Sequence, residues 1–444
     1  MTQTFDLLLK GGTVVNQDGI GVRDIGVRDG GIAAIGVLNG DAGEIIDCTG
    51  LTVLPGVMDT QVHFREPGLE HKETLETGSL AAVMGGVTTV FEMPNTSPLT
   101  VSEETLADKL KRAERMHCDH AFFMGGTAEN ADDLPELERL PGVPGVKVFM
   151  GSSTGSLLVE DDDTLDYILA RIRRRASFHS EDEPRLIERK SFQVDDDPSS
   201  HPVWRDVETA MKSTRRLVTT ARRHGKRIHV LHISTWQEMA YLADHKDVAS
   251  VEVTPHHLTF DGDVDYPRLG TYIQMNPPVR NAEHRDRIWS WVQAGVADIL
   301  GSDHAPHTRD EKERGYPNTP SGMPGVQTLV PVMLNHVAKG RMTLERFVDM
   351  TSAGPARLFG MVRKGRIAAG YDADFTIVDL NRRETITDNW IASICGWTPY
   401  AGMEVTGWPI GTILRGQKIM WERDLVTGHG GKPVRFLETM QPQS

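Results

Sequence analysis

The feature that most constrains this chain is an alternation. Between about residue 55 and residue 363, strand-like runs take turns with helical patterns: Gly86 to Phe91 then Ser102 to Met116, Ala121 to Met124, Val146 to Met150 then Thr164 to Arg175, Arg227 to His232 then Gln237 to His245, Ser250 to Thr254, and Asp298 to Gly301. Such alternation means βαβ units and a parallel sheet, an α/β fold. A region of roughly 300 residues suits a (β/α)8 TIM-like barrel, whose site is built from polar residues at strand C-termini. A doubly wound open sheet is the competitor. It loses ground because no GxGxxG follows the first strand and opens a helix.

The ends of the chain carry a different signature. Residues 5–54 read as short strands and turns: Phe5 to Leu9, Gly11-Gly12, Thr13 to Val15, Asp18-Gly19, Asp24 to Val27, Asp29-Gly30-Gly31 and Ile32 to Ile35. Asp-Gly and Gly-Gly between alternating runs are hairpin signals. Similar material returns at Ala373 to Leu380 and Gly411 to Ile419. At 444 residues the chain exceeds the size at which a single core stops growing. Because termini usually lie close together, residues 1–54 and 364–444 are expected to form one small β-sandwich domain beside a barrel of residues 55–363.

Chemistry enters at Pro55 to Gly68. The apolar run Leu51 to Met58 suits a strand buried on both faces, and it leads into Asp59, Gln61, His63 and Arg65. In a strand Gln61 and His63 share one side, and Arg65 joins them if the strand persists. Later runs carry similar groups: Asn95 follows Phe91, Lys147 sits inside Val146 to Met150, His179 follows Phe178, His232 follows Leu231, and Asp303 and His307 follow Leu300. Each has a structural reading alone, a hydrogen-bonded imidazole or a snorkelling lysine. Three histidines, an aspartate and a buried lysine at successive strand ends call for a common purpose. Neutral imidazoles and carboxylates bind a borderline metal such as zinc, and a catalytic site keeps a position open for water.

Composition limits the partners. The balance of 48 basic and 62 acidic residues gives −14, which argues against nucleic acid and anionic membranes. An anionic substrate would need its own cationic clamp against that field. Cys48, Cys118 and Cys395 lie far apart with no CxxC, so neither a disulfide framework nor a thiolate site is suggested. Met1 to Asp6 lacks a basic region followed by an apolar core, and no apolar run reaches ~18 residues. A cytoplasmic enzyme acting on a small molecule is the expectation. The acidic runs Glu160 to Asp163 and Asp195 to Asp197 read as solvated surface.

The motifs in order resemble the amidohydrolase superfamily and, within it, the dihydroorotase group of cyclic amide hydrolases. They are Val62 to Gly68, Gly85 to Val90 with Met93 to Thr96, Gly145 to Gly151, His232 to Thr235, Val253 to Leu258, Asn276 to Pro278 with Arg280, Ser302 to His307, and Gly370 to Asp374. The resemblance runs nearly end to end. It implies reversible hydrolysis of the cyclic amide of (S)-dihydroorotate to N-carbamoyl-L-aspartate, in pyrimidine biosynthesis. It implies one or two Zn2+ ions, with Lys147 N6-carboxylated as the bridging ligand, His179 and His232 on the more exposed ion, and His63 and Asp303 on the more buried one. Asp303 matches the acid/base that delivers a proton to the leaving ring nitrogen. Arg65, Asn95 and His307 match the grip on the substrate carboxylate, with Asn276 near the ring. Members of the group are commonly homodimers or larger homo-oligomers.

The chain departs from the pattern at Gln61, where the family has the first of two histidines. An amide oxygen is a weak zinc ligand beside an imidazole, so Gln61 puts the buried ion in question. Two other readings follow. A hydantoinase or allantoinase shares the Lys147 chemistry but needs no carboxylate clamp, and a non-catalytic homologue would support a partner such as a transcarbamoylase. The stretch Thr308 to Ser321, rich in charge, Gly and Pro, reads either as a loop closing over the site or as an ordinary connection.

Overall fold

The computed structural model describes residues 4–152 and 157–439. Met1 to Gln3, part of the stretch inspected for a leader, lie outside the described residues. Chain entry is through five strands, β1 (Thr4–Asn16), β2 (Gly19–Arg28), β3 (Gly31–Gly36), β4 (Asp41–Asp47) and β5 (Thr52–Pro55). Asp29 and Gly30, with φ of 52° and 73°, form the two-residue turn between β2 and β3. Positive φ at both positions is what a primed hairpin turn requires. Gly11-Gly12 is not a turn. Phe5 to Val15 is one strand, with a register shift between Leu9 and Gly12, so the glycines make a bulge.

The apolar run Leu51 to Met58 is likewise two strands. It divides at Gly56, whose amide donates to the Asp374 carbonyl (2.9 Å), and a Cβ there would lie 2.3 Å from the Thr88 hydroxyl. Here the chain leaves the terminal sheet and enters the barrel. The barrel strands are β6 (Val57–Val62), β7 (Val87–Glu92), β8 (Asp119–Phe122), β9 (Met124–Gly125), β10 (Val146–Phe149), β11 (Ala176–His179), β12 (Ile228–Val230), β13 (Ala249–Val253) and β14 (Ile299–Leu300). Every pairing between them is parallel. β8 and β9 share one position, interrupted at Phe123, whose amide donates to the Glu92 carbonyl (3.0 Å). The ring closes where Val62 pairs in parallel with His304 and the His63 amide donates to the His304 carbonyl (2.7 Å). Eight positions in a closed parallel ring make the (β/α)8 barrel the alternation predicts.

The chain returns through β15 (Phe375–Thr385), β16 (Glu404–Leu414), β17 (Gln417–Trp421) and β18 (Asp424–Leu425). β5 is the seam, parallel to β1 on one side and antiparallel to β15 on the other, giving one nine-stranded sheet. That sheet folds over on itself as a sandwich does. Gly31 bridges to Asp372, and Ile25, Val27 and Ile32 share a core with Phe375, Ile377 and Ile413.

Helices around the barrel start where a side chain can cap them. Thr74, Ser102, Asp206 and Thr235 each accept from a backbone N–H one turn on. Asp161 caps the helix Asp162–Arg171, so part of the first acidic run has a structural task, and both runs are exposed. Helix Val207–Arg223 buries Ala210, Thr214, Leu217, Val218 and Ala221 on one face. Leu217, Val218 and Ala221 join Val146, Val148, Phe178 and Ile228 in the main core. Among the described residues no helix is long and apolar enough to cross a membrane.

Candidate active site

The mouth of the barrel gathers the residues singled out from the sequence. β6 ends at Val62, so the strand does not persist to Arg65. Arg65 reaches the mouth through a left-handed backbone instead (φ 67°), as do His232 (38°) and Asp303 (50°). Such conformations cost of order 1–3 kcal/mol each and persist where the surroundings over-determine them.

Two clusters result. In the first, His63 Nδ1 donates to Asn95 Oδ1 (2.8 Å), leaving the lone pair of Nε2 to face Asp303 Oδ1 at 3.2 Å. Gln61 Nε2 donates to the same Asp303 oxygen (3.1 Å), while its own Oε1 is buried without a partner. Burial is the main cause holding the His63 imidazole below its usual pKa, so the ring is neutral and Nε2 is an acceptor confronting a carboxylate. In the second cluster His179 Nε2 donates to Glu181 (2.9 Å), and Arg205 clamps that carboxylate through Nη2 (2.6 Å) and Nε (3.1 Å). His179 Nδ1 therefore presents its lone pair to His232 Nε2 at 3.0 Å. Burial depresses both imidazoles, and His232 Nδ1 has no partner.

Lys147 is electrostatically linked to both clusters. It feels the charge of Asp303 on one side, and both His179 and His232 feel its charge on the other. Its ammonium is buried with no hydrogen-bond partner, 4.4 Å from the centre of the Phe149 ring. Burial pushes its pKa down to about 7. An unpaired buried ammonium is costly, and neutralisation is the ordinary response.

The anion-binding side lies next to this. Arg65 is 1% exposed; Nε donates to the Pro306 carbonyl (3.1 Å), Nη2 lies 3.2 Å from His307 Nε2, and Nη1 has no partner. With His63, Asn276 and Asp303 it lines a cavity of about 20 Å³. His307 Nδ1 lies 3.2 Å from Lys72 Nζ, and His307 Nε2 lies 3.1 Å from the Ser321 carbonyl oxygen. Asn276 Oδ1 accepts from His201 Nε2 (3.0 Å).

Several residues here were not singled out from the sequence. Glu181 stands two places after His179, a local signal that could have found it. Lys72, Lys312 and Arg205 had no such signal, because they reach the site from elsewhere in the chain. Lys312 Nζ donates to the carbonyls of Pro320 (2.9 Å) and Gly322 (3.0 Å), pinning Thr308 to Ser321 inside the structure.

The donor set fits a divalent metal. His63 Nε2 and Asp303 Oδ1 face each other at 3.2 Å, His179 Nδ1 and His232 Nε2 at 3.0 Å, and the buried Lys147 amine, without a hydrogen bond of its own, is coupled electrostatically to both pairs. Gln61 fits less well, since its amide N–H occupies the Asp303 oxygen. A further trio, Glu76, His117 and His429, has ligand atoms within 4.8 Å of one another but is remote from the mouth, near the start of β8.

Comparison with known proteins agrees with this architecture. Residues 206–419 match the amidohydrolase family and residues 50–134 the dihydro-orotase-like family. The chain belongs to the amidohydrolase family, whose members are typically metal-dependent. Within it the chain stands with the dihydroorotases. It is 37% identical over 424 residues to dihydroorotase of Halobacterium salinarum, covering 93% of this chain and 97% of that one. It is 35% identical to dihydroorotase of Methanothermobacter thermautotrophicus, covering 92% and 93%. Its backbone superposes on L-hydantoinase (dihydropyrimidinase) from Arthrobacter aurescens with a TM-score of 0.93 at 30% identity, covering 97% and 99%. The chain is a hydrolase acting on cyclic amide bonds.

Proposed function

We propose that this chain interconverts (S)-dihydroorotate and N-carbamoyl-L-aspartate, and that the residues at the mouth divide the work as follows. The observation that carries the substrate assignment is Arg65, a buried guanidinium whose Nη1 has no hydrogen-bond partner and which lines one small cavity with His63 and Asp303. Burial lowers its pKa only to about 10, so it stays charged at neutral pH. A planar fork of that kind recognises a carboxylate in two hydrogen bonds. Asn95 and His307 complete the grip and Asn276 faces the ring.

His63, His179, His232, Asp303 and Lys147 would hold one or two zinc ions, which supply a polarised carbonyl and a water of lowered pKa when bound. Lys147 contributes as a carbamate: its neutral amine adds to the carbon of carbon dioxide and an amine proton leaves. Asp303 removes the proton from the attacking water and returns it to the ring nitrogen as the C–N bond breaks. Glu181 and Arg205 fix the His179 tautomer that keeps Nδ1 unprotonated. Residues 55–363 act as the catalytic unit and residues 1–54 with 364–444 as its companion, a division supported by the core that Leu7, Ile25, Val27, Phe375, Ile377 and Ile413 form among the terminal strands, while Val15, Leu54, Val378, Leu414 and Ile419 pack into the barrel core.

The test is a spectrophotometric assay in both directions on protein whose metal content has been measured. Turnover of dihydroorotate is expected. Absence of turnover either way in metal-loaded protein rejects the proposal.

A further inference from the structure

The opposite end of the barrel holds a cavity of about 660 Å³, within the range of small-molecule sites. It lies at the N-terminal ends of the strands: Arg175 immediately precedes β11, Arg227 precedes β12, and Ala249 opens β13. Phe359 lines the cavity and also packs edge-on against Phe91 (5.1 Å) and Phe123 (6.0 Å) in the barrel floor. The cavity is therefore separated from the mouth by a packed aromatic layer.

Its walls reverse the sign of the molecule. Some cations here are matched: Arg174 with Glu438 (2.6 Å), Lys246 with Asp298, and Arg357 with Asp349 (3.2 Å). Arg173, Arg175, Lys226 and Arg227 have no carboxylate partner among the described residues. Lys226 and Arg175 are held by neutral oxygens only, Lys226 by the Ile172 carbonyl (2.6 Å), and Arg175 by the Ile228 carbonyl (2.9 Å) and Ser250 Oγ (3.0 Å). Those bonds aim the two heads without neutralising them. Burial first, and the neighbouring Arg227 second, push the Arg175 guanidinium down to about 10, with Asp298 and Glu438 acting in the opposite sense. In a chain of net charge −14, acids are in surplus, yet Asp298 and Glu438, which line the same cavity, pair with Lys246 and Arg174 rather than with these four cations.

We infer that this cavity is a binding site for a phosphorylated anion of nucleoside-triphosphate size. Four unmatched cations balance a triphosphate, and arginine forks suit phosphate oxygens in two-point contacts. Pro144, Leu358 and Phe359 supply an apolar wall of the kind a base can lie against. This site is independent of the catalytic assignment.

The experiment is isothermal titration of the full-length, metal-loaded protein with ATP and, separately, with inorganic triphosphate. Saturable 1:1 binding of ATP is expected. Arg173→Glu with Arg227→Glu should weaken it at least tenfold; both side chains are exposed, so the fold is spared. Heat from chelation of the catalytic metal would be unchanged in that variant, which separates the two signals. No saturable binding, or equal affinity in the double variant, overturns the inference. Inorganic triphosphate binding as tightly as ATP would support an anion site and overturn its nucleoside part.

Discussion

Two regions of buried charge in this barrel treat it in opposite ways. Beside the start of β8, Lys364 is enclosed by Asp119 (2.5 Å) and Asp374, and Arg415 donates twice to Asp119 (2.6 and 2.7 Å). The Lys432 amide also donates to Asp119 (2.8 Å). The Asp119 carboxyl is held below its usual range by those cations despite burial, and Lys364 is raised by the two carboxylates. At the mouth, Lys147 Nζ, Arg65 Nη1, Gln61 Oε1 and His232 Nδ1 are equally buried and unpartnered. Both regions meet the cost of removing polar groups from water. One offsets it with internal partners, and the other leaves the offset to a ligand. The paired network staples the terminal sheet to the barrel; the unpaired one carries the proposed chemistry.

The hardest strain on that contrast is Asp303→Asn. If the mouth serves proton transfer, kcat for dihydroorotate should fall about 10³-fold or more, while the thermal transition stays near wild type. A large loss of stability with residual activity would place Asp303 among the structural groups instead.

The paired network should respond in reverse. Lys364→Met leaves two carboxylates buried with less compensation, and breaking such a group costs about 3 kcal/mol or more. Urea denaturation reads this directly, and kcat per folded molecule should be unchanged. A stable variant with altered kcat would erase the distinction between the two regions.

What the sequence revealed follows the same division. The barrel was legible because strands covered on both faces must be apolar, and polar residues at their tips stand out against such runs. His63, Lys147, His179, His232 and Asp303 were visible for that reason. Barrel closure between Val62 and His304 was not, since no local pattern announces a pairing across 242 positions. Lys72, Lys312 and Arg205 look like ordinary surface cations until the fold brings them in. The Gly11-Gly12 bulge and the break at Gly56 were misread because glycine signals a change of backbone course without saying which. Arg173-Arg174-Arg175 and Lys226-Arg227 are short basic runs in the sequence, but nothing local says that they meet in one cavity.

A smaller effect separates the readings of the substrate. Arg65→Ala removes charge-assisted hydrogen bonds worth ~1.5–3 kcal/mol, so kcat/KM for dihydroorotate should drop about 100-fold. Activity toward an uncharged hydantoin, if any is present, should be spared. Equal losses on both substrates would point to a general role in shaping the mouth, and would remove the argument for a carboxylate.

The finest adjustment is at Gln61, whose side-chain amide is paired through its N–H and unpaired at its oxygen. Its amide N–H satisfies an Asp303 oxygen that the donor set would otherwise offer to a metal. Restoring the imidazole with Gln61→His exchanges that N–H for a ring lone pair, which is a far better zinc ligand than an amide oxygen. Elemental analysis after gentle purification should show about one further equivalent of metal per chain. With cobalt substituted, a second ion near the first should alter the electron paramagnetic resonance spectrum whatever happens to the rate. If the metal content does not change, Gln61 is not what limits the first cluster.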